Sequence, residues 1–144
     1  MRFLCIDDEA LNLQVLTDML QVAEASVTSH LDAETALIDL NANAYDMILV
    51  DLRMPGMDGV SFIEHVRRRT DHRRNIPIIV ITAEGSRSAH ERCRNAGADD
   101  VLAKPVVMDH LFDRIGVVLA EAQRAGIDSI SASGETLQAR HAAA

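Results

Sequence analysis

Met47-Ile48-Leu49-Val50-Asp51-Leu52-Arg53-Met54-Pro55-Gly56-Met57-Asp58-Gly59 is the stretch on which the fold turns. Four apolar residues end on a carboxylate and pass into a Pro/Gly loop. A continuous apolar run is how a central parallel strand reads, because both of its faces are buried. A carboxylate just past such a strand stands where open α/β sheets bind ligands. The same arrangement recurs outward along the chain. Arg2-Phe3-Leu4-Cys5-Ile6 runs into Asp7-Asp8, Ile76-Pro77-Ile78-Ile79-Val80-Ile81 runs into Thr82, and Val101-Leu102-Ala103 ends in Lys104-Pro105. Laid parallel, these strands bring three acids, a hydroxyl and an ammonium to one edge of the sheet. That set suits a divalent metal and a phosphoryl group.

Helical patterns fill the intervals, and strand alternating with helix is the signature of a parallel α/β sheet. The first helix is expected from about Ala10, with Val15, Leu16, Met19 and Leu20 as its apolar stripe. A weakly marked strand follows at Ser26 to Ser29. Asp32 is placed to cap the next helix, with Ala36, Leu37 and Leu40 inward. Asp58 or Gly59 opens a third, with Phe62, Ile63 and Val66 inward. A fourth spans Ser86 to Asn95 and stops at Gly97, a left-handed cap. The fifth begins near Met108, carries Leu111, Ile115, Val118 and Leu119, and is expected to end at Gly126. Residues 1–125 thus read as one domain. Residues 126–144 read as a polar tail, disordered on composition or else a segment that docks on a partner or on the domain.

The 144 residues suffice for one domain with a real core. No apolar run is long enough to span a membrane and the amino terminus lacks a signal-peptide pattern, so the expected location is cytoplasmic, without membrane partners. The net charge of −8 argues against a nucleic-acid partner, which calls for a basic footprint. Cys5 and Cys93 read as free thiols. His30, His65, His72, His90, His110 and His141 show no metal-ligand spacing and read as surface residues. Arg67-Arg68-Arg69 and Arg73-Arg74 read as the solvated end of the third helix, complementing its dipole, or alternatively as a docking patch for an acidic partner.

The acid pair, Asp-x-x-Met-Pro-x-Met-Asp-Gly, Thr-Ala and Lys-Pro occur together in the order and at the spacing of the receiver domains of two-component response regulators. The chain resembles that family from about Arg2 to Arg124. The resemblance implies a doubly wound, flavodoxin-like sheet of five parallel strands in the order 2-1-3-4-5, with helices on both faces. It implies that Asp51 is the phosphoacceptor, attacking a phosphoryl group to form an acyl phosphate. Mg2+ is the implied cofactor, bound directly by Asp8 and Asp51, by the backbone carbonyl of Arg53, and by Asp7 through water. Thr82 is implied to hydrogen-bond a phosphoryl oxygen beside the Ala83 amide, and Lys104 to pair with the phosphoryl group. The donor would be a histidine kinase or a histidine phosphotransfer protein. The output would be binding of a downstream protein or relay of the phosphoryl group, as in a stand-alone receiver. Such a protein is not an enzyme beyond its own phosphorylation and dephosphorylation.

Two features individualise the chain. Receivers commonly carry Tyr or Phe three residues before the site lysine, and here that position is Val101. The Asp7-Asp8-x-x-x-Asn12 pattern resembles receivers of phosphorelays and hybrid kinases. Leu11 and Leu13 flank Asn12 and are either docking residues for a histidine-bearing helical bundle or an extension of the core. Two competing functions come from other classes. A phosphorylation-independent interaction module on a receiver scaffold would dispense with Asp51. An aspartate-nucleophile phosphatase would normally show Asp-x-Asp, which Asp51-Leu52-Arg53 lacks.

Overall fold

The computed structural model describes residues 1–132, with side chains described through 125. Five strands form one parallel sheet: β1 Arg2–Ile6, β2 Ser26–His30, β3 Met47–Val50, β4 Ile78–Thr82 and β5 Asp100–Ala103, in the order β2-β1-β3-β4-β5. The helices are α1 Ala10–Val22, α2 Ala33–Ala42, α3 Gly59–Arg67, α4 Arg87–Ala96 and α5 Met108–Ala132, with a 3-10 turn at His72–Asn75. The expected fold class and strand order are those observed. β4 starts at Ile78 rather than Ile76, since Pro77 has no N–H to give a ladder.

The two-residue period of the strands sorts the core onto two faces. Leu4, Ile6, Ile48, Val50, Ile78 and Val80 pack under α2, α3 and α4. Phe3, Cys5, Met47, Leu49, Ile79 and Ile81 pack under α1 and α5. Cys5 and Cys93 are free and buried on opposite faces. Burial pushes the Cys5 thiol up to about 12, so it carries no thiolate chemistry.

Four expectations are corrected, in whole or in part. On α1 the buried stripe is Leu13, Leu16 and Leu20, while Val15 is 44% exposed. The true stripe runs i, i+3, i+7, and a pattern dense in apolar residues left its phase open by one position. α5 passes through Gly126 to Ala132. One glycine costs only about 1 kcal/mol against alanine, and the stretch before it is rich in helix formers. The rest of the proposed tail, 133–144, lies outside the described residues, as does His141.

The arginines around the end of α3 divide: Arg68, its side chain 73% exposed, and the exposed Arg74 fit the solvated end, whereas Arg67, Arg69 and Arg73 are tied inward. Arg67 donates to the carbonyls of Gly97, Arg74 and Ile76 and pairs with Asp99 at 3.1 Å. It ties α3 to the end of α4 and the entry of β4. Arg69 grips Asp71 with two nitrogens and holds the Asp71 carboxyl down at about 2. His30 also departs from its surface reading. It is partly buried, with its Nε2 2.7 Å from Asp39.

Candidate phosphoacceptor site

Strand ends position the site. The Asp51 amide donates to the Ile6 carbonyl at 2.9 Å, continuing the β1–β3 ladder one residue further. The Asp7 amide donates to the His30 carbonyl at 3.2 Å, and the Lys104 amide to that of Thr82 at 2.9 Å. Asp7, Asp51 and Lys104 are thus each the first residue past a strand, Thr82 is the last within one, and Asp8 is the second past β1. Asp7 is 2% exposed, Asp51 7% and Thr82 1%, whereas Asp8 is open to solvent.

One carboxylate oxygen from each of Asp7, Asp8 and Asp51 lies within 4.8 Å of the others. A small hard cation takes oxygen ligands in octahedral array at about 2.0–2.1 Å, and oxygens at this spacing can share one such ion. The donor chemistry therefore fits Mg2+. Lys104 Nζ sits 2.8 Å from Asp7 Oδ2 and 3.3 Å from Asp51 Oδ2. The other Asp7 oxygen accepts the Glu9 amide at 2.9 Å at the start of α1, so Asp7 serves both the helix entry and the acid cluster.

The electrostatics follow from this packing. Burial raises the Asp51 pKa, reinforced by the charge of Asp7, and the attraction of Lys104 does not cancel it. Burial alone would lower the Lys104 pKa, but the Asp7 hydrogen bond and the two carboxylate charges outweigh it and raise the pKa. The ammonium is closer to Asp7 than to Asp51. Asp51 is therefore the less neutralised of the two buried acids.

Thr82 Oγ1 accepts the Glu84 amide at 3.0 Å. Across the mouth, Arg53 Nε meets Glu84 Oε2 at 2.6 Å, and Arg92 of α4 approaches the other Glu84 oxygen at 3.8 Å. The Arg53 bond lowers the Glu84 pKa, so the bridge stays charged at neutral pH. Arg53 and Glu84 each stand two residues past a site residue, so their bridge is placed to restrict attacking water at the mouth. Replacing both by alanine is expected to speed loss of the phosphoryl group severalfold, read as decay of the phosphorylated mass after donor removal. An unchanged decay rate would show that the bridge does not restrict water.

The structure brings Asp7, Asp8, Asp51 and Lys104 together, and sets Thr82 at the end of the neighbouring β4, its carbonyl accepting the Lys104 amide. Two supporting residues escaped the reading. Gly59, at the start of α3, is pressed against the backbone of Asp51, and a Cβ there would lie 2.4 Å from the Asp51 carbonyl oxygen. Its signal was a glycine at a helix start already capped by Asp58, where any residue would otherwise serve. Asp100, 4% exposed, joins Arg94 of α4 and Arg114 of α5. Burial would raise its pKa, but the arginines and the Val101 amide outweigh that and lower it. No local pattern announces those partners.

Residues 3–116 match the response regulator receiver domain as a family. The chain is 36% identical over 116 residues to the sensory/regulatory protein RpfC of Xanthomonas campestris pv. campestris, covering 80% of this chain and 16% of that protein. It is 32% identical over 117 residues to the sensor histidine kinase RcsC of Salmonella typhi, covering 81% and 12%. The phosphate regulon transcriptional regulatory protein PhoB of Escherichia coli is 30% identical over 129 residues, covering 90% and 56%. The chain thus spans less than two thirds of each of these relatives. Among solved structures, a response regulator from Chloroflexus aurantiacus superposes with a TM-score of 0.79 at 32% identity, covering 83% of this chain and 97% of that one. The chemotaxis protein CheY4 of Vibrio cholerae gives 0.76 at 28%, covering 81% and 97%. By the match over residues 3–116, the chain belongs to the receiver domains of two-component response regulators.

Proposed function

We propose that the chain receives a phosphoryl group on Asp51 from a phosphohistidine of a histidine kinase or phosphotransfer protein, with Mg2+. The observation that carries this reading is the convergence of Asp7, Asp8 and Asp51 under Lys104. An Asp51 carboxylate oxygen attacks phosphorus, the P–N bond of the donor breaks, and its electron pair stays with the imidazole nitrogen. The product is an aspartyl acyl phosphate. Catalysis of this kind is mostly positioning and charge neutralisation. Asp8, Asp51 and the Arg53 carbonyl would hold the metal directly, and Asp7 through water. An Mg2+ held there would supply positive charge to offset the negative charge of the phosphoryl oxygens. Lys104 supplies the protein's own cation, and its contact with Asp51 gives way to one with the phosphoryl group. Thr82 exchanges the Glu84 amide for a phosphoryl oxygen, now donating its hydroxyl. The chemistry is confined to the chain's own aspartate, so the protein is not an enzyme toward separate substrates. Acetyl phosphate with Mg2+ is expected to add one phosphoryl mass, and chelation of the metal to abolish it. Uptake that is indifferent to the metal would overturn the reading. Turnover of a generic phosphoester would favour a phosphatase instead.

The donor's route is supported by α1. Leu13 is core, so only Leu11 of the flanking pair remains for docking; it is 74% exposed, with Val15 one turn on. Beside them lies a cavity of about 380 Å3 whose lining joins Asn12, Val15, Pro105 and Val106 to Asp7 and Lys104. An apolar surface continuous with the reacting groups fits the helical bundle that presents a phosphohistidine. Leu11→Asp is expected to slow transfer from the cognate histidine protein at least tenfold while leaving uptake from acetyl phosphate nearly intact. Equal slowing by both routes would assign Leu11 to the site's structure rather than to docking.

A further inference from the structure

Between Thr82, the last residue of β4, and Arg87, the first of α4, residues 83–86 form an irregular segment. Among the described residues its amides make one hydrogen bond, that of Glu84 to Thr82 Oγ1 at 3.0 Å. Nothing crowds the segment at Gly85, where a Cβ would meet no atom within 4 Å. The Glu84 carboxylate faces two cations from other elements. Its Oε2 accepts Arg53 Nε at 2.6 Å, and its Oε1 stands 3.8 Å from Arg92 Nη2. Arg92 lies midway along α4, next to Cys93, which is buried in the core. Among the described residues Arg92 makes no other ion pair.

Glu84 thus answers to two places at once. The site holds its backbone through one hydroxyl, and α4 stands just out of reach of its carboxylate. The phosphoacceptor reading of Asp51, on which this inference rests, has Thr82 give up the Glu84 amide for a phosphoryl oxygen. The segment then loses the one bond its amides make, and with it the anchor that spaces Glu84 from α4. A guanidinium–carboxylate hydrogen bond is ordinarily about 2.7–2.9 Å long, so the gap to Arg92 is about 1 Å too wide. A carboxylate accepts at both oxygens, so Oε1 can close on Arg92 while Oε2 keeps Arg53. We infer that Glu84 is a latch on α4: when Thr82 lets its amide go, its carboxylate closes on Arg92 and draws the middle of α4 toward the mouth. Arg92 is a positioning residue in this device and does not touch the phosphoryl group. Partly exposed ion pairs contribute little to stability, so the latch is read in the position of α4 rather than in a melting temperature.

The test is NMR of the 15N-labelled full chain, without and with Mg2+ and beryllofluoride, a stable mimic of the phosphoryl group. Loading shifts are taken as differences within each variant. In the wild type, loading is expected to shift the amides of Asp51, Thr82 and Glu84, those of Arg87 to Arg92, and the Arg92 Nε–H. In Arg92→Gln the loading shifts at Asp51 and Thr82 should remain, while those of Arg87 to Glu91 fall at least threefold. Arg92→Lys keeps the cation and should retain most of the α4 response. Uptake of a phosphoryl group from acetyl phosphate should be unchanged in both variants, which verifies their fold. The inference is overturned by α4 shifts of wild-type size in Arg92→Gln, by their loss in Arg92→Lys as well, or by an α4 that does not respond in the loaded wild type. Each of those results leaves the phosphoacceptor reading standing. Loading that leaves Asp51 and Thr82 unshifted overturns that reading and the inference together.

Discussion

Asp51→Asn is expected to take up no phosphoryl group from acetyl phosphate under conditions that load the wild-type chain fully. The amide lacks the nucleophilic oxygen pair, and no neighbour can replace it. Asp7 is occupied by Lys104 at 2.8 Å and by the Glu9 amide, and Asp8 stands at the solvent side. The fold should survive and gain stability. Burial raises the Asp51 pKa in the folded chain above its ordinary 3.8. Between those two values the folded state binds more protons than the unfolded one, so stability falls as pH rises through that window. Above it, the charged Asp51 is a standing cost that asparagine removes. The variant is therefore expected to melt a few degrees above wild type at pH 7, with the gap closing below about pH 4. Mg2+ should raise the Tm of the wild type more than that of the variant, because one of three acids is gone. Mass spectrometry and thermal scans at two pH values measure both halves. A phosphoryl mass persisting in Asp51→Asn would sink the site assignment. A lower Tm at pH 7 would mean that Lys104 neutralises Asp51 more fully than its 3.3 Å separation implies.

How far the sequence could be read depends on how local the cause is. β1, β3 and β4 were legible because central strands are buried on both faces and read as apolar runs. β2 was faint because it is an edge strand, with Ser26, Thr28 and Ser29 among its five residues. The caps at Asp32 and Gly97, and Asp58 as a candidate start of α3, were readable because each acts within three residues of itself or through its own backbone angle, while Ser86, read as the first helical residue, is the cap of α4. Arg67 was not, because its acceptors at Gly97 and Asp99 lie 30 and 32 residues away and two of its three carbonyl partners belong to a loop. The phase of α1 failed for a related reason. Leu11, Leu13, Val15 and Leu16 offer two apolar stripes, and only the neighbouring elements decide that Leu13 goes inward and Leu11 outward. The site residues were legible because their chemistry is written at strand ends. The groups that hold them in place, Gly59 above all, act through backbone contacts that residue type alone does not announce.

That backbone contact carries the other large effect. In Gly59→Ala the new Cβ would stand 2.4 Å from the Asp51 carbonyl oxygen and 2.9 Å from Leu52 Cα. Both neighbours are backbone atoms of the segment that carries Asp51, so no side chain can swing aside. Either the start of α3 retreats, breaking the Gly59 amide's 2.9 Å bond to the Leu52 carbonyl, or the Asp51 segment shifts at the end of β3. Overpacking of this sort costs about 1–3 kcal/mol. A displacement of about 1 Å in a group that must attack in line can cost about 100-fold in rate. Gly59→Ala is therefore expected to slow uptake from acetyl phosphate at least tenfold while the chain still folds. Asp58→Ala is the control, since it removes only the carboxylate that accepts the Ser61 amide. It should cost about 1 kcal/mol, as lost caps do, and leave the uptake rate near wild type. Denaturant melts and time courses of the phosphorylated mass, taken on both variants, separate the two effects. If the two lose stability alike and phosphorylate alike, Gly59 is a helix-start residue and nothing more. If only Gly59→Ala slows the chemistry, the glycine positions the nucleophile.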